Sequence, residues 1–568
     1  MGDMLLLTLR RLRGPLIALI FGYGISVLGL VLVPGPVEAG QVTHLNFFHA
    51  FYVISYTATT IGFGEIPYAF SDAQRAWLTF SIYLSVTSWA YTLGSIFTLA
   101  KDTAFRTALT NSRFTRRVSL LHEPFYIIAG YGQSGNALAH AFDDLNLRTV
   151  IIEVLPERAG RADIEDYLHP PIFVAADARW PSILRDAGVG NPYCKAVIVL
   201  VGDDEVAQTI AIGASVLHPE QRVIARVHDP LARGNLEDFP NITVIDPFVA
   251  FAVNVELNLS APSVLWVEEW LSSAPGDACP RPASTPIGHW VIFGFGRFGR
   301  AIAQALERSG CTWTAVDSDV ALATDEHVRF TNNSEQSLLE IGIEKAVGFV
   351  ACTDRDAINL ALVSRARKLK PELSILIRQN HILDRSLIEA ARADLTFVKS
   401  EVIVHECLQL LVSPLLNRFL MLVREQGKHV AEELIVRLLT ELDERVPYLL
   451  AFDCLPEHPG LHEILTNPGE QPLRVADLLI DPLRPPDPLR AVPLLLCRND
   501  ENYMLPPPET VLQSGDQILF AGARNVEFLQ RRFQLDPSPI DFVRTGIEPP
   551  RSWVFRKLAQ RRAGKLKI

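Results

Sequence analysis

Metal-binding and disulfide patterns are missing from this sequence. Its seven cysteines are scattered, odd in number and never arranged as CxxC. This argues against a zinc site or a disulfide framework and favours free thiols in a reducing compartment. His405 and Glu406 begin a zincin-like pattern, but Gln409 stands where a second histidine would be required. A metalloprotease is therefore not predicted.

Charged residues are absent from two long apolar runs, 14–37 and 76–100. Each run can cross a hydrocarbon core of about 30 Å as a helix. The first is too long for the apolar region of a signal peptide and lacks a convincing cleavage site. Basic residues lie before the first run and after the second: Arg10, Arg11, Arg13, Lys101, Arg106, Arg113, Arg116 and Arg117. The positive-inside bias predicts a multi-pass cell-membrane protein whose N- and C-terminal regions are cytoplasmic.

Acidic residues are absent from the last eighteen residues, although the formal net charge of the chain is −11. The acidic remainder argues against nucleic acid as a partner. The basic tail, 536–568, is compatible with contact to lipid headgroups and with a solvated terminus.

Between the two runs lies the stretch HLNFFHAFYVISYTATT, 44–60, which has the length of a helix but is too short to span a membrane. It predicts a re-entrant half-helix, which a membrane tolerates where the end is buried in protein or lines a water-filled cavity. The half-helix runs into TATTIGFGE, 57–65. A dehydrated cation needs rings of carbonyl oxygens around an axis, and four chains can supply them. Gly62 and Gly64 suit the alternating backbone conformations that such rings require.

The segment Thr57-x-x-Thr60-Ile61-Gly62-Phe63-Gly64 resembles the selectivity filter of potassium channels. The resemblance implies a filter over Thr60, Ile61, Gly62, Phe63 and Gly64, with K⁺ held at the first four. Phe63 would then pack outward, and Thr60 would add its hydroxyl to the innermost ring. Glu65 replaces the aspartate that is more common after the last glycine. The second run would be the inner helix, in which Gly94 is equally compatible with a gate hinge and with close helix packing.

Two copies of a dinucleotide-binding fingerprint follow, FYIIAGYGQSGNALAHAF at 125–142 and HWVIFGFGRFGRAIAQAL at 289–306. Each reads as a strand, a glycine turn and a helix. An acid ends the next strand of each copy. The pattern predicts phosphate at the helix N-terminus and a carboxylate on a ribose hydroxyl. The residues concerned are Gly130, Gly132, Gly135 and Glu153 in copy one, and Gly294, Gly296, Gly299 and Asp317 in copy two.

Together with later repeated elements, the order of segments resembles a two-span prokaryotic potassium channel with tandem RCK (regulator of potassium conductance) modules. The implied fold class is an α-helical two-span pore domain with two Rossmann-like α/β modules and a small α+β C-terminal subdomain. The resemblance also implies a homotetramer in membrane lipid, with eight RCK modules forming a gating ring. The predicted segments are N-terminus 1–13, pore domain 14–100 (span 14–37, pore helix and filter 44–66, inner helix 76–100), linker 101–123, RCK1 124–274, linker 275–288, RCK2 289–444, subdomain 445–535 and tail 536–568.

The two nucleotide sites differ in their polar residues. Copy two has Arg297 in its turn, where the family often places an arginine on phosphates, and copy one has Gln133. Copy one keeps Asp177, which matches a family acid near the adenosine, and copy two has Asn332. The acid after the second strand favours NAD(H) or an adenine nucleotide such as ADP or ATP over NADP(H). One or both pockets could also be empty and purely structural.

Calcium is a further candidate ligand, at Asp203-Asp204-Glu205 and at Asp354 and Asp356. Charged runs of this kind are more often solvated faces.

The sequence thus predicts a potassium-selective channel gated by a cytoplasmic ligand, with no enzymatic activity. The alternatives are a membrane-anchored NAD-dependent oxidoreductase and a regulatory subunit of a potassium transporter. The first lacks a Tyr-x-x-x-Lys pair or a Ser/Cys–His grouping beside either fingerprint, and the second would not need a filter of its own.

Overall fold

A computed structural model describes residues 2–38, 41–158, 165–279, 285–318, 327–330, 335–454, 459–466, 472–499 and 501–546. Asn332 and the basic end of the tail lie outside these residues. The chain divides into two compact units, residues 1–129 with 147–195, and residues 130–146 with 196–568.

The described helices and strands are as follows. The helices are α1 (Gly2–Leu32), α2 (Phe47–Ala58), α3 (Asp72–Lys101), α4 (Thr103–Ser119), α5 (Gln133–Asp144), α6 (Pro181–Asp186), α7 (Asp204–Leu217), α8 (Pro230–Glu237), α9 (Pro247–Ser260), α10 (Pro262–Ser272), α11 (Arg297–Arg308), α12 (Glu335–Glu340), α13 (Asp356–Leu369), α14 (Arg385–Ala390), α15 (Lys399–Leu411), α16 (Pro414–Gln426), α17 (Lys428–Leu442), α18 (Pro459–Thr466), α19 (Val526–Leu535) and α20 (Ser538–Thr545). The strands are β1 (Val37–Glu38), β2 (Gln41–Val42), β3 (Phe125–Ala129), β4 (Arg148–Glu153), β5 (Ile172–Ala175), β6 (Cys194–Val199), β7 (Val223–Arg226), β8 (Ile242–Ile245), β9 (His289–Phe293), β10 (Thr312–Asp317), β11 (Val328–Phe330), β12 (Gly348–Ala351), β13 (Ser374–Gln379), β14 (Leu395–Val398), β15 (Tyr448–Asp453), β16 (Ala491–Arg498), β17 (Glu501–Met504) and β18 (Gln517–Gly522).

In the first unit, α1 and α3 pack along each other with α2 against them. The contact between α1 and α3 uses small and hydroxyl-bearing residues, which let helix backbones approach closely. The indole Nε1 of Trp77 donates to the carbonyl of Ser26 at 3.0 Å, and the Thr92 hydroxyl donates to the carbonyl of Pro15 at 3.1 Å. A Cβ on Gly29 would lie 2.0 Å from the Trp77 ring, so only glycine fits there.

Of the described helices, one is long and apolar enough by itself to cross a membrane. It is the Leu12–Leu32 part of α1, with a mean hydropathy of 2.3. The helix α3 does not meet that criterion, and its buried positions include Ser81, Ser85, Ser88 and Thr92. The bent pair α15 and α16 meets the criterion jointly, but Leu416 and Phe419 of α16 belong to the core of the second unit. The predicted two-span pore is therefore supported for its first span only.

The joint between α3 and α4 is a single residue. Asp102 ends α3, and its carboxylate accepts a hydrogen bond from the backbone N–H of Phe105 at 3.2 Å, which caps α4. Farther along α4, Phe114 and Val118 are buried. The region predicted as a linker is thus mostly a continuous helix.

The α/β part of the chain consists of parallel strands. In the first unit, β3, β4 and β5 pair in the order β5-β4-β3, and in the second unit β6, β7 and β8 pair in that order. A complete six-stranded sheet in the second unit has the order β11-β10-β9-β12-β13-β14. This is the 3-2-1-4-5-6 order of a dinucleotide-binding fold, so the Rossmann-like prediction is confirmed.

The last strands form an antiparallel sheet in the order β15-β18-β16-β17. Gly515 has a φ of +92°, and the carboxylate of Asp516 next to it is almost completely buried. Both oxygens of Asp516 bind the guanidinium of Arg498, at 2.8 and 2.7 Å. This bidentate pair fastens the turn before β18 to the end of β16.

Candidate functional site

The predicted filter is an extended segment that leaves the end of α2. Asn46 caps the N-terminus of this twelve-residue helix by accepting from the backbone N–H of His49 at 2.8 Å. At its other end, the carbonyl of Tyr56 accepts from the backbone N–H groups of Ile61 and Gly62, at 2.9 and 3.4 Å. These bonds turn the chain back sharply after the half-helix.

The backbone of this segment alternates in handedness. Thr60, Gly62 and Gly64 have φ values of +60°, +67° and +89°, whereas Ile61 and Phe63 are outside the positive-φ region. Within the described part of the chain, a Cβ on Gly62 or Gly64 would meet nothing within 4 Å. It is therefore the left-handed conformation, and not lack of space, that calls for glycine here.

Aromatic rings hold the filter segment against α2. The ring of Phe63 stacks on Tyr52 with centroids 6.3 Å apart and meets Tyr56 edge-on at 5.6 Å. The phenol Oη of Tyr56 donates to the carbonyl of Gly64. Phe63 thus packs toward the half-helix, which leaves the backbone of the segment on the opposite side.

Gly94 lies within the continuous helix α3. Within the described part of this single chain, a Cβ at Gly94 would meet nothing within 4 Å. Packing within the isolated chain therefore does not require glycine at this position, and the hinge stays a prediction. By contrast, a Cβ on Gly22 of α1 would lie 2.5 Å from the Ser88 hydroxyl, so packing does require glycine there.

The glycine turn of copy two, entirely in the second unit, has the geometry of a phosphate cradle. Gly294 has a φ of +102°, and a Cβ there would lie 2.9 Å from the backbone nitrogen of Thr353. A Cβ on Gly299 would lie 2.1 Å from the carbonyl oxygen of Gly294. Gly296 is the N-cap residue of α11 and has no side chain that could accept from the first N–H groups of the helix. A Cβ at Gly296 would meet nothing within 4 Å among the described residues. The first N–H groups of α11 can therefore bind an anion.

Asp317 and Arg297 flank this turn. The Oδ2 atom of Asp317, at the end of β10, accepts from the backbone N–H of Phe295 in the turn at 2.6 Å. Arg297 is the first residue of α11 and is more than half exposed, with its Nη1 atom 4.0 Å from the Oδ2 atom of Asp204. Both side chains are thus beside the turn, and Arg297 is oriented toward a carboxylate of copy one.

The Cys352 thiol lies under the same turn and donates to the carbonyl of Gly294 at 2.9 Å. Complete burial raises the pKa of this thiol to about 12. Cys352 is therefore a neutral hydrogen-bond donor at neutral pH, and its position gives no support to a thiolate-based enzyme mechanism.

Copy one presents its predicted residues in two sets. In the second unit, Gly130 has a φ of +100°, and a Cβ there would lie 3.0 Å from the backbone nitrogen of Val201. Gly132 caps α5 without a side-chain hydrogen bond, and Gln133 is exposed as the first residue of that helix. Gly135 is buried in the first turn of α5.

In the first unit, Glu153 and Asp177 already have partners. Glu153 is buried at the end of β4, accepts from the backbone N–H of Leu155 at 3.0 Å and lies 3.5 Å from Arg158. Asp177 forms a bidentate pair with Arg179, whose Nε donates to Oδ1 at 3.1 Å and whose Nη2 donates to Oδ2 at 2.6 Å, and this guanidinium lowers the pKa of the Asp177 carboxyl. A ligand would have to share or replace these contacts.

Three of the acids considered for calcium, Asp203, Asp204 and Asp356, bind backbone N–H groups instead. Asp203 caps α7 by accepting from the backbone N–H groups of Glu205 and Val206. The Oδ2 atom of Asp204 accepts from the N–H groups of His228 and Asp229, at 3.0 and 2.8 Å.

Asp356 repeats in copy two the role that Asp204 has in copy one. It accepts from the backbone N–H groups of Asn380 and His381, both at 2.8 Å. No group of three or more His, Cys, Asp or Glu residues among the described ones could hold a metal ion. The calcium hypothesis is therefore unsupported, because the carboxylates fasten each first helix turn to the next strand end.

Two contacts of the filter segment were not predicted from the sequence. Tyr56 binds the last carbonyl of the filter segment, and Arg75 of α3 binds the carboxylate of Glu65 just after it, with the Arg75 Nε 2.8 Å from Oε1. Arg75 lies ten residues beyond Glu65 in the sequence, and no motif marks it as a partner.

Comparison with known families gives the identity of the α/β regions. Residues 126–247 and 290–399 match the model of the TrkA-N domain. The two matched regions are referred to as the first and second TrkA-N domains. They coincide with the two fingerprints, so the prediction of tandem modules of this kind is confirmed.

Sequence relatives are potassium channel proteins. "Potassium channel protein 1" of Methanocaldococcus jannaschii is 29% identical over 211 residues, which are 36% of this chain and 60% of that protein. "Probable potassium channel protein 2" of the same organism is 26% identical over 96 residues, which are 15% of this chain and 28% of that protein. The chain thus spans about three fifths of the length of the first relative and less of the second. The predicted relationship to prokaryotic potassium channel proteins with TrkA-N domains is confirmed.

Solved structures that align with this chain include the GsuK channel bound to NAD and GsuK bound to ADP. The first aligns with 94% of this chain and 99% of its own at 15% identity and a TM-score of 0.48. The second aligns with 72% of this chain and 99% of its own at 17% identity and a TM-score of 0.45.

Proposed function

We propose that this chain is one subunit of a potassium-selective membrane channel whose conduction is regulated by a nucleotide bound to its TrkA-N domains. The observation that carries the proposal is the alternation of backbone handedness through Thr60, Gly62 and Gly64 at the end of a half-helix. Alternation of this kind turns successive carbonyls to one side, as a dehydrated cation requires. K⁺ would be held at Thr60, Ile61, Gly62 and Phe63.

A homotetramer is the proposed assembly. In the single chain, the segment Thr59–Glu65 is exposed, as are the apolar side chains of Ile61, Phe63, Phe47 and Phe48. An exposed backbone of this length cannot face lipid, because its polar groups would be left unpaired there. Four copies around an axis would place the carbonyls on ions and cover the apolar side chains with neighbouring chains and membrane lipid.

Nucleotide regulation is supported by the two glycine turns. Both α5 and α11 begin at a glycine that makes no side-chain cap among the described residues, so both offer free N–H groups to a phosphate. Acids end β4 and β10, as recognition of a ribose hydroxyl requires, and this favours NAD(H), ADP or ATP as the ligand. Eight such modules per tetramer would form the cytoplasmic ring that moves the inner helices.

Reconstitution tests this proposal. The purified chain in liposomes should carry a K⁺ flux that exceeds the Na⁺ flux and changes when NAD, ADP or ATP is added. Gly62→Asp should abolish the flux, because it places a side chain at a φ of +67° in the filter segment. Gly24→Ala is the matched control, since a Cβ at Gly24 of α1 would meet nothing within 4 Å of the described chain. Absence of flux under every ligand, or flux unchanged by Gly62→Asp, would overturn the channel proposal.

A further inference from the structure

Glu65 joins the outer end of the filter segment to the first turn of α3. Its Oε1 atom lies 2.8 Å from the Nε of Arg75, and its Oε2 atom lies 3.1 Å from Nη2 of the same guanidinium. Oε2 also accepts from the backbone N–H of Phe70 at 2.8 Å. The carboxylate is therefore bound on both oxygens, in the fork geometry that fixes direction as well as distance.

The elements that Glu65 reaches are themselves held in place. Phe70 is buried in the core formed by α1, α2 and α3. Ser71 caps α3 in a capping box with Gln74, and its hydroxyl donates to the carbonyl of Pro34 at 2.7 Å. Arg75 follows one turn later, with its backbone N–H bonded to the carbonyl of Ser71. Glu65 is thus bound to the N-terminal end of α3, which is itself held by the capping box and the contact to Pro34.

The filter segment is fastened on its other side through Tyr56, whose Oη donates to the carbonyl of Gly64. Gly64 and Glu65 are adjacent in the chain. Gly64 is bound to Tyr56 of α2, and Glu65 is bound to Arg75 of α3. A coordinating group must be held to within about 0.5 Å of its productive position by supporting contacts. These two contacts provide that support at the outer end of the segment.

Stability alone does not explain the Glu65–Arg75 pair. The Arg75 side chain is 52% exposed and that of Glu65 is 33% exposed. Exposed ion pairs of this kind contribute little to the free energy of unfolding. The bidentate geometry and the third bond from Phe70 instead restrict where the carbonyl of Gly64 can lie.

We propose that Glu65 and Arg75 are positioning residues that set the ion selectivity of the outer filter by fixing the Gly64–Glu65 backbone against α3. This inference rests on the proposed channel function. Neither side chain needs to touch the ion, because Glu65 acts through the backbone to which it is attached and Arg75 acts through Glu65.

The test is the K⁺ to Na⁺ permeability ratio of full-length channels in planar bilayers, taken from reversal potentials. Glu65→Gln and Arg75→Gln should each lower the ratio by about fivefold to tenfold, as expected from loss of one charge-assisted pair. Glu65→Asp tests the reach of the side chain and should lower the ratio less than Glu65→Gln does. The double exchange Glu65→Arg with Arg75→Glu should recover part of the ratio, since the pair is restored in reverse.

Asp72→Asn is the matched control. The fully exposed carboxylate of Asp72 lies 3.4 Å from Nη1 of Arg75 but does not touch the filter segment, so the ratio should be unchanged. Size-exclusion chromatography shows whether each variant assembles as the parent does, and the double exchange supplies a readout if one single variant fails to assemble. Conducting Glu65 and Arg75 variants with the parental ratio would overturn this inference and leave the channel proposal intact. A parent chain without any K⁺ current would overturn both.

Discussion

In the second unit, the guanidinium of Arg297 approaches the carboxylate of Asp204, with 4.0 Å between Nη1 and Oδ2. Arg297 belongs to the glycine turn of the second TrkA-N domain, and Asp204 begins α7 in the first. The only guanidinium that the second turn itself contributes is thus directed at an acid of the other domain. A nucleotide phosphate at that turn would compete with Asp204 for it.

Arg297→Gln should weaken nucleotide binding to the second TrkA-N domain. Loss of a charge-assisted hydrogen bond to phosphate predicts an affinity about tenfold lower. The exposed Arg300, one turn nearer the middle of α11, provides the control Arg300→Gln, which should bind as the parent does. Isothermal titration of the full-length chain in detergent with NAD, ADP or ATP measures both. Equal affinity of the Arg297→Gln chain and the parent would remove Arg297 from the site.

Gly299→Ala should lower the stability of the second TrkA-N domain, whereas Gly296→Ala should lower its response to nucleotide. A Cβ at residue 299 would lie 2.1 Å from the carbonyl oxygen of Gly294, so this variant should be less stable by about 1–3 kcal/mol. A Cβ at residue 296 meets nothing, and the φ of −71° there suits alanine. Gly296→Ala should therefore retain the parental Tm without nucleotide but gain less from added nucleotide, because its methyl group occupies the space where a phosphate approaches. Thermal unfolding with and without NAD measures both, and a normal nucleotide-induced shift in Gly296→Ala would contradict the assigned cradle.

Gly94→Ala should lower the open probability of the channel. Alanine favours a helix interior over glycine by about 1 kcal/mol, which would bias α3 toward the unbent form about fivefold. Gly24→Ala in α1 removes a glycine that is equally free of contacts in the described chain and should leave gating unchanged. Single-channel recording at saturating ligand measures both. Equal open probability in the two variants would mean that Gly94 is not the hinge.

Asp516→Asn should destabilise the C-terminal antiparallel sheet. Asp516 is 1% exposed and binds Arg498 through both oxygens, so the variant leaves a partly buried guanidinium without its counter-charge. Breaking a buried pair in this way costs about 3–5 kcal/mol. Asp443→Asn is the control, because the Asp443–Arg490 pair is exposed on both sides and its loss should not measurably change the unfolding midpoint. Urea unfolding followed by circular dichroism compares them.

The sequence allowed the repeated fingerprints and the filter segment to be predicted because their chemistry is local. Glycines at Gly62, Gly64, Gly130 and Gly294 all have positive φ in the structure. Their spacing in the sequence marks turns that no other residue forms cheaply. The sheet order follows from the same local units, since each strand–helix–strand segment has a fixed hand.

Other features could not be predicted from the sequence. Some depend on contacts between distant residues, and others on whether an acidic side chain binds a cation or the backbone. Arg75 binds Glu65 only because α3 begins beside the outer end of the filter, and no spacing rule connects the two. The acids at Asp204 and Asp356 fitted a cation site by composition, but each begins a helix directly after a strand. At that position the carboxylate accepts from backbone N–H groups at the end of the neighbouring strand, which is what the structure shows.

The one-residue joint at Asp102 has a mechanical consequence. Asp102 ends α3 and caps α4 at the same time, so no flexible residues separate α3 from α4. Any rotation or pull on α4 therefore reaches the C-terminal end of α3 with little loss of amplitude. An insertion of flexible residues at this joint would let α4 move without moving α3. In the proposed channel, ligand would still bind and the filter segment would be unchanged, but binding would no longer be transmitted to α3.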